Sequence, residues 1–313
     1  MERTLYLECY SGISGDMVTA ALLDLGAEEN VLREVLDSLP LKGYHVEISR
    51  VTKSGIDACD FDVILENEDN HDHDMEYLYG HLHGNSHSTM HEHSHDEAHK
   101  QSHDGMHGHA HGHVNEEGQQ HTHSHVHGNE EGQQHTHSHV HRGMKEIREI
   151  IEQGNMTEGA RRLALQIFTV LAEAESKAHN VPVEEVHFHE VGAVDSIVDI
   201  VSAAVCLDNL NIRKVIVPEL WEGRGTVRCQ HGILPVPVPA VTEIIQAYEL
   251  PIRITDIMGE LVTPTGAAVV AAVRTSGQLP KRFLIHRLGL GAGKREYECA
   301  GLLRAMLIEE MES

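Results

Sequence analysis

Histidine is spread so unevenly along this chain that the unevenness dictates how the rest must fold. Of 28 histidines in 313 residues, only His45, His179, His187, His189, His231 and His286 lie outside the stretch from 71 to 141, which holds the other 22. That stretch has few apolar residues and no sustained period, so it cannot bury enough surface to offset its ordering entropy, and disorder is expected there. It contains a tandem duplication: NEEGQQHTHSHVH runs from Asn115 to His127 and returns unchanged from Asn129 to His141. A 14-residue period is too short for a solenoid unit and reads as a duplicated ligand cassette. Closing a loop of this length costs roughly 4 kcal/mol by the logarithmic rule, which a folded body can absorb. The fold therefore belongs to the flanks: 1–70 and 142–313 as two parts of one α/β domain around a disordered insertion at 71–141.

Neutral imidazole is the ligand form of histidine and suits Ni, Cu, Zn and Co. The His-x-His spacing lets neighbouring rings of a flexible chain converge on one ion. The candidate ligands are His81, His83, His91, His93, His95, His107, His109, His111, His113, His121, His123, His125, His127, His135, His137, His139 and His141. At four to six donors per ion, the tract would hold about four or five ions. It contains no cysteine, so a soft thiolate trap is absent there, and Ni, Zn and Co remain as candidates on chemistry alone.

A formal charge of −25 and the lack of a basic patch argue against nucleic acid as a partner. Aromatics at 4% argue against base-stacking platforms. Five cysteines with no CxxC pair fit a reducing compartment, and no apolar run reaches the length of a membrane span, so a cytoplasmic protein is expected.

Strands are expected at 4–9, 185–189 and 214–218, a β-hairpin over 44–65, and extended segments at 226–238, 282–290 and 301–308. Helices are expected at 16–25 (stopped by Gly26), 29–39, 145–153, 157–178 (capped by Thr157), 194–210, 240–248 and 265–275. Strands alternating with helices predict an α/β fold, a mixed sheet with flanking helices.

Three local motifs carry chemistry. In Val186-His-Phe-His-Glu-Val-Gly-Ala-Val-Asp-Ser-Ile-Val-Asp199, His187 and His189 share one side of a strand, while Asp195 and Asp199 share one face of the following helix. With Glu190 nearby they are a candidate cation or catalytic site; the bland alternative is two core histidines and a helix-capping Asp. In Ser11-Gly-Ile-Ser-Gly-Asp16, Gly12 and Gly15 allow a tight turn or a bound anion, whereas Asp16 suits a cation or a helix cap. In Gly259-Glu-Leu-Val-Thr-Pro-Thr-Gly-Ala-Ala268, Thr265 is the expected N-cap, and Thr263, Thr265 and Gly266 are candidates to hold a phosphate or carboxylate. The cysteines read as core or incidental.

Together, SGISGDM at 11–17, FHEVGAVDSIVDI at 188–200 and ELVTPTGAA at 260–268, with a histidine-rich insert between the first two, resemble the LarC family of nickel insertion proteins. The resemblance covers nearly the whole folded chain. It implies nickel delivery to pyridinium-3,5-bisthiocarboxylic acid mononucleotide, giving an SCS pincer with a nickel–carbon bond, and so a nickel chelatase or cyclometallase of the lyase class. In that family the reaction depends on CTP and a divalent metal, held by a C-terminal nucleotide-binding domain. This chain ends at Ser313 before such a domain, so a C-terminal LarC polypeptide is an expected partner, and homo-oligomerisation is left open. Glu8 stands where the family pattern has Asp. The tract would then be the nickel collector, and Asp16, His187, His189, Glu190, Asp195 and Asp199 the transfer site. Two other functions fit the residues: a metal store without catalysis, and a nucleotide-dependent enzyme using the loops at Gly15 and Gly266.

Overall fold

The computed structural model describes residues 3–66, 142–188, 194–229 and 231–311. The histidine tract, with its expected disorder and its candidate ligands, lies outside the described residues.

The chain runs β1 (Arg3–Glu8), α1 (Gly15–Leu25), α2 (Glu29–Ser38), β2 (Tyr44–Lys53) and β3 (Ile56–Leu65) before the tract. After it come β4 (Arg142–Gly143), α3 (Met144–Gln153), α4 (Glu158–His179), β5 (His187–Phe188), α5 (Val194–Asn209), β6 (Ile212–Ile216), β7 (Leu220–Arg224), β8 (Thr226–Cys229), β9 (Gly232–Pro235), α6 (Pro239–Tyr248), β10 (Ile252–Met258), α7 (Pro264–Val273), β11 (Phe283–Ala292) and β12 (Leu302–Glu310). The principal sheet has six strands in the order β2-β3-β11-β12-β1-β6. It is mixed: β1 runs parallel to β6 and antiparallel to β12, and β3 pairs parallel with β11. Strands from both sides of the tract thus share one sheet, as the α/β expectation requires.

Alternation along the strands decides which face the helices cover. Leu5 and Leu7 of β1 and Leu303, Ala305 and Leu307 of β12 enter the main core with the helices. Tyr6, Met306 and Ile308, between them in sequence, point to the other face and meet Ile216 in a small cluster. Helix α5 is apolar nearly all round, with Ile197, Val198, Ile200, Val201 and Ala203–Leu207 buried, because it sits beneath other helices. Each side chain of this kind contributes roughly 1.5–3 kcal/mol of burial free energy, against the backbone entropy of ordering.

Most expected elements appear within a residue or two of their bounds. Thr157 caps α4 by accepting a hydrogen bond from Ala160 N at 3.1 Å. Four expectations need correction. The strand at 214–218 lies at 212–216. The segment expected as a strand over 185–189 is a 3-10 turn at Val183–Glu185 followed by a two-residue strand, with His189 outside the described residues. The extended segment at 226–238 folds as a hairpin of β8 on β9. The last helix begins at Pro264 and its cap is Thr263, whose hydroxyl accepts from Gly266 N at 3.2 Å; a proline fits the first helical turn, where no N–H is needed. Strands β7 and β10, which pair in parallel, are not among the expected elements: β7 has no alternating apolar pattern, and β10 alternates only over Ile252–Thr255. Among the described residues no two cysteines are joined by a disulfide. Among the described residues, no helix is long and apolar enough to cross a membrane.

Candidate functional site

Backbone pairing between two loops builds the floor of the site. Ile13 N donates to Leu261 O at 2.9 Å, and Thr263 N donates to Ile13 O at 3.0 Å. The fully buried Glu222 on β7 fixes the second loop, its Oε1 accepting from Gly223 N (2.7 Å), Leu261 N (2.7 Å) and Val262 N (3.1 Å). Burial, reinforced by the charge of Glu260, pushes the Glu222 carboxyl up to about 7, against the pull of those three amides. The glycines follow from this packing. At Gly12, with φ +85°, an added Cβ would lie 2.0 Å from Leu261 O; at Gly266 it would lie 2.2 Å from Ile13 O. Both are glycine because backbone meets backbone, and neither lines the cavity described next.

A cavity of about 300 Å³ opens beside these loops. The first turns or flanks of α1 (Ser14, Gly15, Asp16), α5 (Asp195, Ser196, Asp199), α6 (Val238, Pro239, Ala240) and α7 (Thr263, Pro264, Thr265) all line it. Helix N-termini present unsatisfied N–H groups and a partial positive charge, so four of them around one space favour anionic groups there. Six expected site residues meet here: Gly15, Asp16, Asp195, Asp199, Thr263 and Thr265. Gly15 is needed for the approach, because its Cβ would stand 2.8 Å from Asp199 Oδ2. Burial holds the Asp199 carboxyl well above the usual range, and the charges of Asp16 and Asp195 add to this. Ser14 Oγ donates to Asp16 Oδ1. Asp16 Oδ2 and Asp199 Oδ1 are buried with no hydrogen-bond partner among the described residues. Buried polar atoms left so are costly and mark places where a cation or proton would be held.

Other lining residues carried only weak local sequence signals. His179 ends α4 and Glu175 lies one turn before it, with His179 Nε2 3.4 Å from Glu175 Oε2. Cys229 and His231 come from the β8–β9 turn, and the rings of His231 and His179 lie 5.0 Å apart. Burial, then the charge of His179, lowers the pKa of His231, and burial raises that of Glu175. Arg228 and Arg295 supply cations. Arg295 Nη1 lies 2.6 Å from Glu260 Oε2; burial opposes its charge, but Glu260 and Tyr297 outweigh burial and raise its pKa. The available hints were the i, i+4 pair Glu175/His179 and the Cys-x-His spacing at 229–231, both common by chance.

His187 pairs through its backbone with Gly143, while its side chain, His189 and Glu190 lie outside the described residues. As the side chains stand, no three or more His, Cys, Asp or Glu among the described residues converge as a closed metal site. The cavity instead offers separated groups: carboxylates for a cation or a proton, and arginines with helix N-termini for an anion.

The family model described as nickel insertion protein matches residues 5–313. The chain is 47% identical over 310 residues to the pyridinium-3,5-bisthiocarboxylic acid mononucleotide nickel insertion protein of Alkaliphilus metalliredigens, covering 99% of this chain and 61% of that one. Against the protein of the same name from Clostridium acetobutylicum it is 41% identical over 310 residues, covering 98% and 64%. The chain thus spans less than two thirds of the length of these curated relatives. No solved structure matches it. The chain belongs to the nickel insertion protein family, LarC.

Proposed function

We propose that this chain inserts nickel into pyridinium-3,5-bisthiocarboxylic acid mononucleotide, the compound in its relatives' names, and that the reaction takes place in the cavity. One observation carries the proposal: Asp16 and Asp199, each with a buried oxygen that has no hydrogen-bond partner among the described residues, line a space ringed by helix N-termini and arginines. The substrate has matching parts. Its phosphate and thiocarboxylates are anions for Arg228, Arg295 and the amides near Thr263 and Thr265. Its ring carbon must lose a proton as the nickel–carbon bond forms, and that proton passes to a carboxylate. Asp199, whose pKa burial and neighbouring charges raise, is suited to accept it. Asp16 and Asp195 hold the ion meanwhile, with His187, His189 and Glu190 as further donors.

The finer parts of the reading are proposals as well. The histidine tract collects Ni²⁺ and releases it to sulfur donors that bind nickel more tightly. CTP and a divalent metal act with a C-terminal LarC polypeptide, in the cytoplasm, as a lyase-class cyclometallation. The tract alone would equally favour a nickel store without catalysis; the charged cavity favours insertion.

The test is product formation. Wild type and Asp199→Asn, each with the C-terminal polypeptide, CTP, nickel and the mononucleotide, are compared by mass spectrometry. A rate loss of roughly 100-fold is expected for removal of a group that touches metal or reacting atoms. An unchanged rate in the variant overturns the assignment of the cavity.

A further inference from the structure

Three side chains in the cavity lining carry nitrogen or sulfur donors: His179, Cys229 and His231. His179 is the last residue of α4, where outward-pointing carbonyls give a partial negative charge that favours a cation. Glu175, one turn earlier, lies 3.4 Å from His179 Nε2 and orients the ring, as carboxylates behind metal-binding histidines do. The His231 ring lies 5.0 Å away at 40° to it. Cys229, two residues before His231, adds a thiol to the same lining.

A stacked pair of histidines can serve packing alone. Here, however, the pair is solvent-reachable: the side chain of His179 is 38% exposed and His231 is exposed. Two imidazoles and a thiol on one cavity lining are a donor set for borderline metals such as Ni, Co and Zn, unlike the oxygen donors at Asp16, Asp195 and Asp199.

We propose that His179, His231 and Cys229 form a handover site that receives Ni²⁺ at the cavity and presents it to the substrate. This rests on the cavity being the place of insertion. Since no three donors converge before the ion arrives, the two imidazoles hold it first. Cys229 then rotates onto it, and its thiol proton goes to solvent. An open, low-count site suits transfer. A closed four-ligand shell is the mark of a structural site, whereas open positions admit the incoming thiocarboxylate sulfurs.

Cobalt(II) added to the full chain tests this, because a thiolate bound to cobalt absorbs in the near ultraviolet and the histidine tract contains no cysteine. The band is expected in the wild type, absent in Cys229→Ser, and to require at least tenfold more cobalt in His179→Ala/His231→Ala. His231→Ala alone, in an exposed turn, gives the same direction without touching α4 and guards against misfolding. A wild type without the band, or a band that survives Cys229→Ser, overturns the proposal. So does an insertion rate at limiting nickel that His231→Ala leaves unchanged. A band that forms normally in a protein that makes no pincer product preserves the metal site and rejects the insertion reading instead.

Discussion

The two polar clusters of the cavity differ in every property that decides what they can hold. Asp16, Asp195 and Asp199 are hard oxygen donors within the first two turns of helices, and burial holds the Asp199 carboxyl above its ordinary range. His179 and His231, with Cys229, are nitrogen and sulfur donors at a helix C-terminus and an exposed hairpin turn. In the first cluster the carboxylates of Asp16 and Asp195 disfavour the charged form of Asp199 until a proton or cation arrives; the second sets two imidazoles and a thiol on the same lining, with both rings reachable from solvent. Such a gradient moves an ion in one direction only if a stronger ligand takes it at the end, which the sulfurs of the proposed substrate supply.

That contrast can be broken most sharply by kinetics. Asp199→Asn should lower the maximal insertion rate roughly 100-fold with little change in the nickel needed for half-maximal rate. His179→Ala/His231→Ala should do the reverse, raising the nickel requirement about tenfold while sparing the rate at saturating nickel. Equal effects of both on both parameters would erase the distinction.

Packing gives the next largest effect. Gly12→Ala places a Cβ 2.0 Å from a backbone oxygen at φ +85° and should cost about 3 kcal/mol in chemical denaturation. Gly15→Ala meets the Asp199 side chain, which can shift, so it should cost about 1–2 kcal/mol yet reduce insertion sharply by displacing that carboxylate.

The pH dependence of stability should report Glu222. Its folded pKa, about 7, is above the unfolded value of 4.5, so its contribution is fully present below that lower value and is lost as pH rises through about 7. Stability should therefore fall by up to about 3 kcal/mol from this group between pH ~4.5 and ~8, and Glu222→Gln should remove that slope. Asp199 is shifted in the same direction and adds to the fall.

Deleting residues 71–141 should have the smallest effect on fold stability, since a loop of this length enters the free energy only logarithmically. Titration calorimetry should show the loss of about four or five bound nickel ions. Insertion should be slow at low nickel and recover on supplementation. An unchanged stoichiometry would reject the tract as the collector.

How far the sequence reached can be judged residue by residue. Asp195 and Asp199 were legible because four-residue spacing on a helix is a local rule, and the structure puts both on one cavity. Thr265 was mistaken for the cap of α7 because Thr-Pro-Thr offers two candidates, and only the hydrogen bond from Gly266 N distinguishes Thr263. Strand β7, with the fully buried Glu222 in its middle, has no apolar alternation to read, and in β10 the alternation of Ile252-Arg253-Ile254-Thr255 is too short to stand out.

The sequence by itself determined that histidine is concentrated in one tract, that the flanks fold as α/β, and which segments carry Asp16, Asp199 and Thr263. Local composition and short-range periodicity suffice for all of these. Only the tertiary structure decided that four helix N-termini surround one space, that Gly12 and Gly266 serve backbone packing, and that His179 and His231, 52 positions apart in sequence, face each other at 5.0 Å. Those are long-range contacts, set by how the whole core closes, and no window of the sequence contains both partners.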